Sequence, residues 1–234
     1  MAGRQIGIAA ADGGMFGIWL ALPENGAGPG PGIVMLHEIF GVTGWIRETA
    51  EMFASHGYCV AAPDMFWRLE PGFEGDFRDA EQTARGRSYK AALDHETGLS
   101  DIAAVIAHLK SLPQCNGKIG VTGFCTGGTM AYLTAARLGP DAASCYYGTQ
   151  IHEFLEEGRN IECPSIFHMG LKDDRVPEGL SDTARAAWDG NPNTTIHTYD
   201  AGHAFAHTER DDYYLPDAAK LAHARTFELF DGLK

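Results

Sequence analysis

No apolar run in the 234 residues approaches the ~18 needed to cross a bilayer. The first residues, Met1-Ala2-Gly3-Arg4-Gln5, lead into no signal-like apolar core. Basic side chains are scarce. Lys and Arg number 18 against 31 Asp and Glu, for a net charge of −13, which argues against nucleic acid and anionic membrane surfaces as partners. A local Arg pocket can outweigh that field, so a small anionic substrate stays open. Cysteine is sparse and odd in number, five in all, with no Cys-x-x-Cys pair and no zinc-ligand spacing. The expectation is free thiols in a reducing cytoplasm. There is no His-Glu-x-x-His. His203 and His207 stand four apart but lack an acidic third ligand at a helical offset, so no metal and no other cofactor is expected. Repeats, low-complexity tracts and divisive linkers are absent too, which predicts one domain over residues 1–234.

What is present alternates. Gln5–Ala10 and Met15–Leu22 flank Asp12-Gly13-Gly14 and predict a β-hairpin. A Pro/Gly loop is expected from Pro23 to Pro31. Residues 32–36 suit a buried strand. Thr43 is expected to cap a helix from Gly44 to Ser55, ended by Gly57. Tyr58–Ala62 reads as a strand, and residues 64–80 as irregular. Ala80–Leu112 is mostly helical, with a break expected near Glu96-Thr97-Gly98 and a cap at Ser100. Strands follow at 118–122, Ala142–Tyr147, Ser165–Met169 and Thr194–Tyr199. Helices are expected near residues 129–136, Ile151–Glu157, Pro177–Trp188 and Pro216–Phe230. Such alternation predicts an α/β fold: a mainly parallel central sheet with helices on both faces and antiparallel strands at the N-terminal side.

Between strand 118–122 and its helix stands Gly123-Phe124-Cys125-Thr126-Gly127-Gly128. Strand, sharp turn and helix with a flanked nucleophile are the nucleophile elbow of an α/β-hydrolase fold, written with Cys in place of Ser. Glycines tolerate the dihedrals that the turn demands. A helix N-terminus favours a thiolate and a developing oxyanion. With 29 glycines, five cysteines produce such flanking by chance about 8% of the time. A buried structural Cys is therefore the rival reading, and the other strand ends must arbitrate.

Ligands of open α/β sheets bind beyond the carboxyl ends of the strands. There the sequence places Glu38, Cys125, Asp173 and His203 in turn. Nucleophile, acid, then His is the chain order of the α/β-hydrolase triad. Cys125 is the candidate nucleophile and His203 its base. Asp173 would orient the imidazole. Asp174 and Asp200 compete with Asp173, which is preferred for its spacing from Gly170.

The sequence resembles the dienelactone hydrolase (carboxymethylenebutenolidase) family. The matching pieces are His37-Glu38-Ile39-Phe40-Gly41, Ala62-Pro63-Asp64-Met65-Phe66, the elbow, Tyr146-Tyr147-Gly148, Phe167-His168-Met169-Gly170 with Asp173 and Val176-Pro177, and Gly202-His203-Ala204-Phe205. The resemblance implies a Cys125-His203-Asp173 triad. It implies that Glu38 lies against the thiol and takes its proton when a carboxylate-bearing substrate binds. It gives Ile39 and Thr126 N–H groups as the oxyanion hole. It further implies two Arg residues that clamp the substrate carboxylate. Arg85 stands at one matching offset before Tyr89-Lys90, with Arg87 nearby. The second position is His207, which lacks the fork of a guanidinium. Arg210 is the candidate substitute, and Tyr89, Tyr146 and Trp67 are candidate acyl-pocket residues.

The expected activity is opening of an enol lactone, or cleavage of a related carboxylic ester, through a thioester. The alternatives are a general carboxylesterase or thioesterase and, more remotely, a binding protein on a hydrolase scaffold. The expected partner is a small lactone or ester, with the protein a monomer or small homo-oligomer.

Overall fold

The computed structural model describes residues 3–23 and 28–234; within the expected Pro/Gly loop, residues 24–27 lie outside the described residues. The chain forms two compact units, residues 1–119 with Lys234, and residues 120–233. In the first, β1 (Arg4–Ala9) and β2 (Met15–Ala21) form the hairpin, antiparallel in register from Arg4 opposite Leu20 to Ala9 opposite Met15. β2 pairs antiparallel with β4 (Cys59–Pro63), and β4 pairs parallel with β3 (Gly30–Leu36). Every residue of β3 and β4 is buried. Since successive strand side chains point to opposite faces, both faces are covered there. The cover comes from α1 (Gly44–Ser55), which packs on β2 and β4, and α3 (His95–Ser111), which packs on β3 and β4.

β5 (Cys115–Phe124) runs across the unit boundary. In the second unit β5, β6 (Ala142–Tyr146), β7 (Ser165–Gly170) and β8 (Thr194–Tyr199) lie side by side, all parallel. β6 is buried throughout and meets both α4 (Thr126–Arg137) and α6 (Pro216–Asp231). The smaller α5 spans Leu180–Ala187. Among the described strands parallel pairings dominate, and the antiparallel ones join β1, β2 and β4. This is the mainly parallel α/β arrangement that the alternation predicts. No helix among the described residues is long and apolar enough to cross a membrane.

Several boundaries differ for local reasons. The break in 80–112 falls earlier, between α2 (Ala80–Ala92) and α3. Asp94, not Ser100, caps α3, its carboxylate accepting from the Thr97 N–H at 2.8 Å and the Thr97 hydroxyl at 2.6 Å. A carboxylate three residues before a donor pair outcompetes a serine that the helix has already absorbed. Gly98 lies inside α3 as a buried packing position. Thr43 precedes α1 without a side-chain cap bond. Residues 151–160 form two 3₁₀ turns, Ile151–Glu153 and Leu155–Asn160. α5 begins only after Gly179, whose left-handed φ of 72° turns the chain into it.

Candidate active site

The elbow dominates the second unit. Cys125 has φ 58° and ψ −115°, a conformation that L-residues avoid and that a nucleophile turn imposes. Its amide donates to the Tyr146 carbonyl at 3.1 Å, and its carbonyl accepts the first bond of α4, from Thr129. The amides of Thr126, Gly127 and Gly128 come before that bond, so they have no acceptor within the helix. They form the kind of donor set that binds anions. The closest approach is at Gly128, where a Cβ would come within 2.2 Å of the Tyr146 carbonyl oxygen. The chain can turn this tightly over β6 only with glycine there.

His203 follows β8 on a loop where the next residue, Ala204, also has positive φ, 55°. The His203 Nδ1 lies 2.9 Å from Asp173 Oδ2, and the carboxylate is buried, with 2% of its side chain exposed. The second Asp173 oxygen accepts from the Arg175 N–H at 2.9 Å. Asp174 points outward and pairs with Arg175, and Asp200 pairs with Lys172; both are exposed. With Nδ1 committed to Asp173, Nε2 remains for the Cys125 thiol, with which the ring is hydrogen-bonded. Burial disfavours the charged imidazole. The negative charge of Cys125, and the hydrogen bonds to Asp173 and to the thiol, outweigh it and raise His203 to about 10. Cys125, His203 and Asp173 are thus brought together within one unit. Gly170 allows the approach of β7 to the His loop, since a Cβ on it would lie 2.5 Å from the Ala201 carbonyl oxygen.

Two neighbouring tyrosines divide their tasks. Tyr147, with φ 37°, sets its ring edge-on to His203 at 5.1 Å and to Phe205 at 5.4 Å. Tyr146 turns into the core and is fully buried. Its hydroxyl meets Thr226 Oγ1 at 2.7 Å and His223 Nδ1 at 3.1 Å. Thr226 Oγ1 also reaches Ser144 at 2.7 Å and His168 Nε2 at 3.1 Å, which fills the one donor and two acceptor places of a hydroxyl. The structure therefore gives Tyr146 a core role, and Tyr147 is the residue against the His ring. His207 is buried, and its Nδ1 accepts from the Glu209 N–H at 3.3 Å. Arg210 lies over the Tyr213 ring at 4.4 Å and near Asp212.

The first unit holds the other candidates. Glu38 and Ile39 stand on the loop between β3 and α1, and Glu38 is buried. The loop is pinned at several points. The Phe40 carbonyl accepts from Gly75 N–H at 2.9 Å, and the Ile39 carbonyl lies where a Cβ on Gly86 of α2 would come within 2.2 Å. Arg85 of α2 pairs with Glu70 at 2.6 Å, and its Nε donates to the Tyr89 hydroxyl at 2.8 Å. Tyr89 in turn donates to Glu70. The cleft around Arg85 is acidic, lined also by Glu74, Asp79 and Glu81. Trp67 stacks on Phe16 at 5.5 Å and donates to Asp101, which commits it to the packing against β2.

Sequence reasoning gave no role to His37, Glu70, Gly86, Gly128 or Tyr147. His37 and Tyr147 sit inside segments already singled out. A histidine directly after a fully buried strand, and the second of two tyrosines at a strand end, were the available signals.

The chain is similar to known proteins over nearly its whole length. The model of the dienelactone hydrolase family matches residues 16–233. A carboxymethylenebutenolidase of Pseudomonas sp. (strain P51) is 38% identical, covering 98% of this chain and 95% of the relative. A carboxymethylenebutenolidase of Pseudomonas putida is 35% identical, covering 98% and 96%. Among solved structures, a Klebsiella pneumoniae protein provisionally described as a dienelactone hydrolase superposes with a TM-score of 0.85 at 25% identity, covering 98% of each chain. A dienelactone hydrolase-like promiscuous phosphotriesterase from metagenomic libraries shares the fold, with a TM-score of 0.77 at 21% identity. A family match over nearly the whole chain, together with relatives of this identity and coverage, establishes that the chain belongs to the dienelactone hydrolase family.

Proposed function

We propose that this carboxylic ester hydrolase opens an enol lactone of the dienelactone type through a thioester on Cys125, and that it acts in a reducing, cytoplasmic setting. One observation carries the reading: a cysteine held at positive φ at the head of a helix, hydrogen-bonded to a His whose other nitrogen meets a buried carboxylate.

The thiolate of Cys125 attacks the lactone carbonyl. The carbonyl oxygen becomes an oxyanion facing the N–H groups of Ile39 and Thr126, donors worth roughly 2.7–4 kcal/mol each where such groups have been removed. The tetrahedral intermediate collapses, the ring C–O bond breaks, and the enolate leaves, taking a proton from His203 and tautomerising to the ketone. A water then attacks the thioester while His203 takes its proton. The C–S bond breaks, the carboxylic acid is released, and the Cys125 thiolate recovers its proton from Glu38. Asp173 keeps the imidazole in the tautomer and orientation that both steps need. Glu38 accepts the thiol proton when a carboxylate-bearing substrate enters. Arg85, with Tyr89, receives that carboxylate, and His207 stands where a second cation is expected. The names of the relatives, carboxymethylenebutenolidases, support the substrate class.

The direct test is the ultraviolet absorbance of cis- and trans-dienelactone mixed with the purified protein. Rapid loss of the lactone band at micromolar substrate is expected. It should stop after alkylation of Cys125 by iodoacetamide. No loss of the band by an unmodified protein whose Cys125 still alkylates would refute the lactone and leave another ester or thioester as substrate.

A further inference from the structure

The loop that carries Ile39 contains a histidine with no part in the steps above. His37 is wholly buried at the end of β3, its ring edge-on to Phe66 at 4.9 Å. The Met65 amide donates to its Nε2 at 2.9 Å. A nitrogen that accepts carries no proton, so the neutral ring has its proton on Nδ1. That N–H donates to the Glu38 carbonyl at 2.5 Å. Burial, the largest influence on this ring, disfavours its charged form, which keeps a single neutral tautomer in place.

The consequence lies in the peptide plane. In a trans amide the N–H points away from the C=O of the same unit. No peptide among the described residues is cis. Fixing the Glu38 carbonyl against His37 therefore fixes the direction of the Ile39 N–H. The Glu38 carbonyl also accepts from Gly41 N–H at 3.4 Å. The next carbonyl, that of Ile39, is hemmed in where α2 passes at Gly86. Both peptide planes flanking Ile39 are thus held, one by a side chain and one by helix contact. In α/β-hydrolases one oxyanion donor comes from the loop between this strand and the first helix. Turning its peptide over would present a carbonyl dipole to the oxyanion and replace attraction by repulsion.

We infer that His37 is a positioning residue for the oxyanion hole, holding the Glu38–Ile39 peptide so that the Ile39 N–H meets the developing charge. The inference rests on Ile39 as a donor in the thiol mechanism proposed above. A glutamine at position 37 supplies one N–H and one C=O and can serve both partners. Leucine fills the niche and serves neither.

The experiment compares His37→Leu, His37→Gln and wild type in two assays. Turnover of an enol lactone builds an oxyanion, whereas alkylation of Cys125 by iodoacetamide does not. His37→Leu should lower kcat about 10–100-fold with KM changed less than about threefold. His37→Gln should recover kcat to within about fivefold of wild type. Alkylation should run at the wild-type rate in both. The inference is overturned by a wild-type kcat in His37→Leu, by no recovery in His37→Gln, or by alkylation slowed in step with kcat. If the leucine variant does not fold, His37→Asn replaces it. Its amide is polar enough for the niche but one methylene too short to span both partners, and its kcat must fall below that of His37→Gln. Full turnover by wild type with an alkylated Cys125 would refute the thiol mechanism itself, whatever the variants do.

Discussion

His203, on the loop after β8, is raised to about 10, whereas His168, inside β7, is driven well below the usual imidazole range. Both are shielded from water within the same unit. His203 faces the Cys125 sulfur and the Asp173 carboxylate. His168 faces the hydroxyls of Tyr199 and Thr226; burial, and after it the nearness of His197, His223 and Arg225, disfavour its charged form. Burial strips the proton from one ring and fails to do so from the other, because only the rim of the sheet supplies negative charge. The interior has hydrogen-bonding capacity without an anion, so it holds neutral rings. The rim sets His203 against the Asp173 carboxylate and the Cys125 sulfur, which favour its charged form. The chemistry and the scaffold therefore use one residue type in opposite charge states, a few residues from the ends of neighbouring strands.

The contrast can be broken most forcefully at the Cys125 sulfur. Cys125→Ala should abolish turnover, by about 10³-fold or more in kcat. It should also lower the proton affinity of His203, readable by NMR titration of the ring. Turnover within tenfold of wild type would refute the nucleophile. Asp173→Asn should leave the thiol in place and reduce kcat by about 10²–10⁴-fold, with little change in KM. The same substitution at Asp174, an exposed partner of Arg175, should leave kcat near wild type. Equal losses at both positions would deny Asp173 its special part.

Smaller effects are expected at Arg85. On the proposed reading, a substrate carboxylate that binds Arg85 has to displace Glu70 from the guanidinium, a bond that the chain already makes at 2.6 Å. Arg85→Ala should raise KM for a carboxylate-bearing lactone about tenfold. Glu70→Gln should shift the kcat/KM ratio of anionic to neutral esters a few-fold toward the anion. Insensitivity of that ratio to both changes would remove Arg85 from substrate binding.

The smallest effects separate the two histidine environments by pH. For His203 the folded value, about 10, exceeds the usual 6.5. Its stabilising contribution is complete below pH 6.5 and is lost as pH rises through about 10. His223, lowered by burial from 6.5 to about 4, works in the other direction. Its contribution is present above pH 6.5 and is lost as pH falls through about 4. Thermal unfolding across pH should show both arms. Cys125→Ala should flatten the alkaline arm, and His223→Gln the acid arm, by a few degrees each. An acid arm that ignores His223→Gln would place the acid sensitivity elsewhere.

The parts that chemistry imposes on local sequence were legible beforehand. A buried apolar run followed by Glu38, and a glycine-flanked Cys125 before a helix, announce strand ends and an elbow because both need particular residues at fixed offsets. The start of α3 was not legible at Ser100, because Asp94 and Ser100 are both good capping residues and only the fold decides which donor each meets. Tyr146 and Tyr147 could not be told apart either. Alternation says that they face opposite ways, but which one faces the core depends on Thr226, eighty residues later. The restraint of Arg85 by Glu70 joins helix α2 to the irregular stretch before it, a pairing that no periodicity encodes.

The backbone of Cys125, held at φ 58°, carries a cost of about 1–3 kcal/mol that the rest of the fold has to absorb. Glycine would occupy that position without strain. Relief of that strain in a Cys125→Gly variant should therefore raise its unfolding temperature, while the thiol on which the proposed chemistry depends is gone.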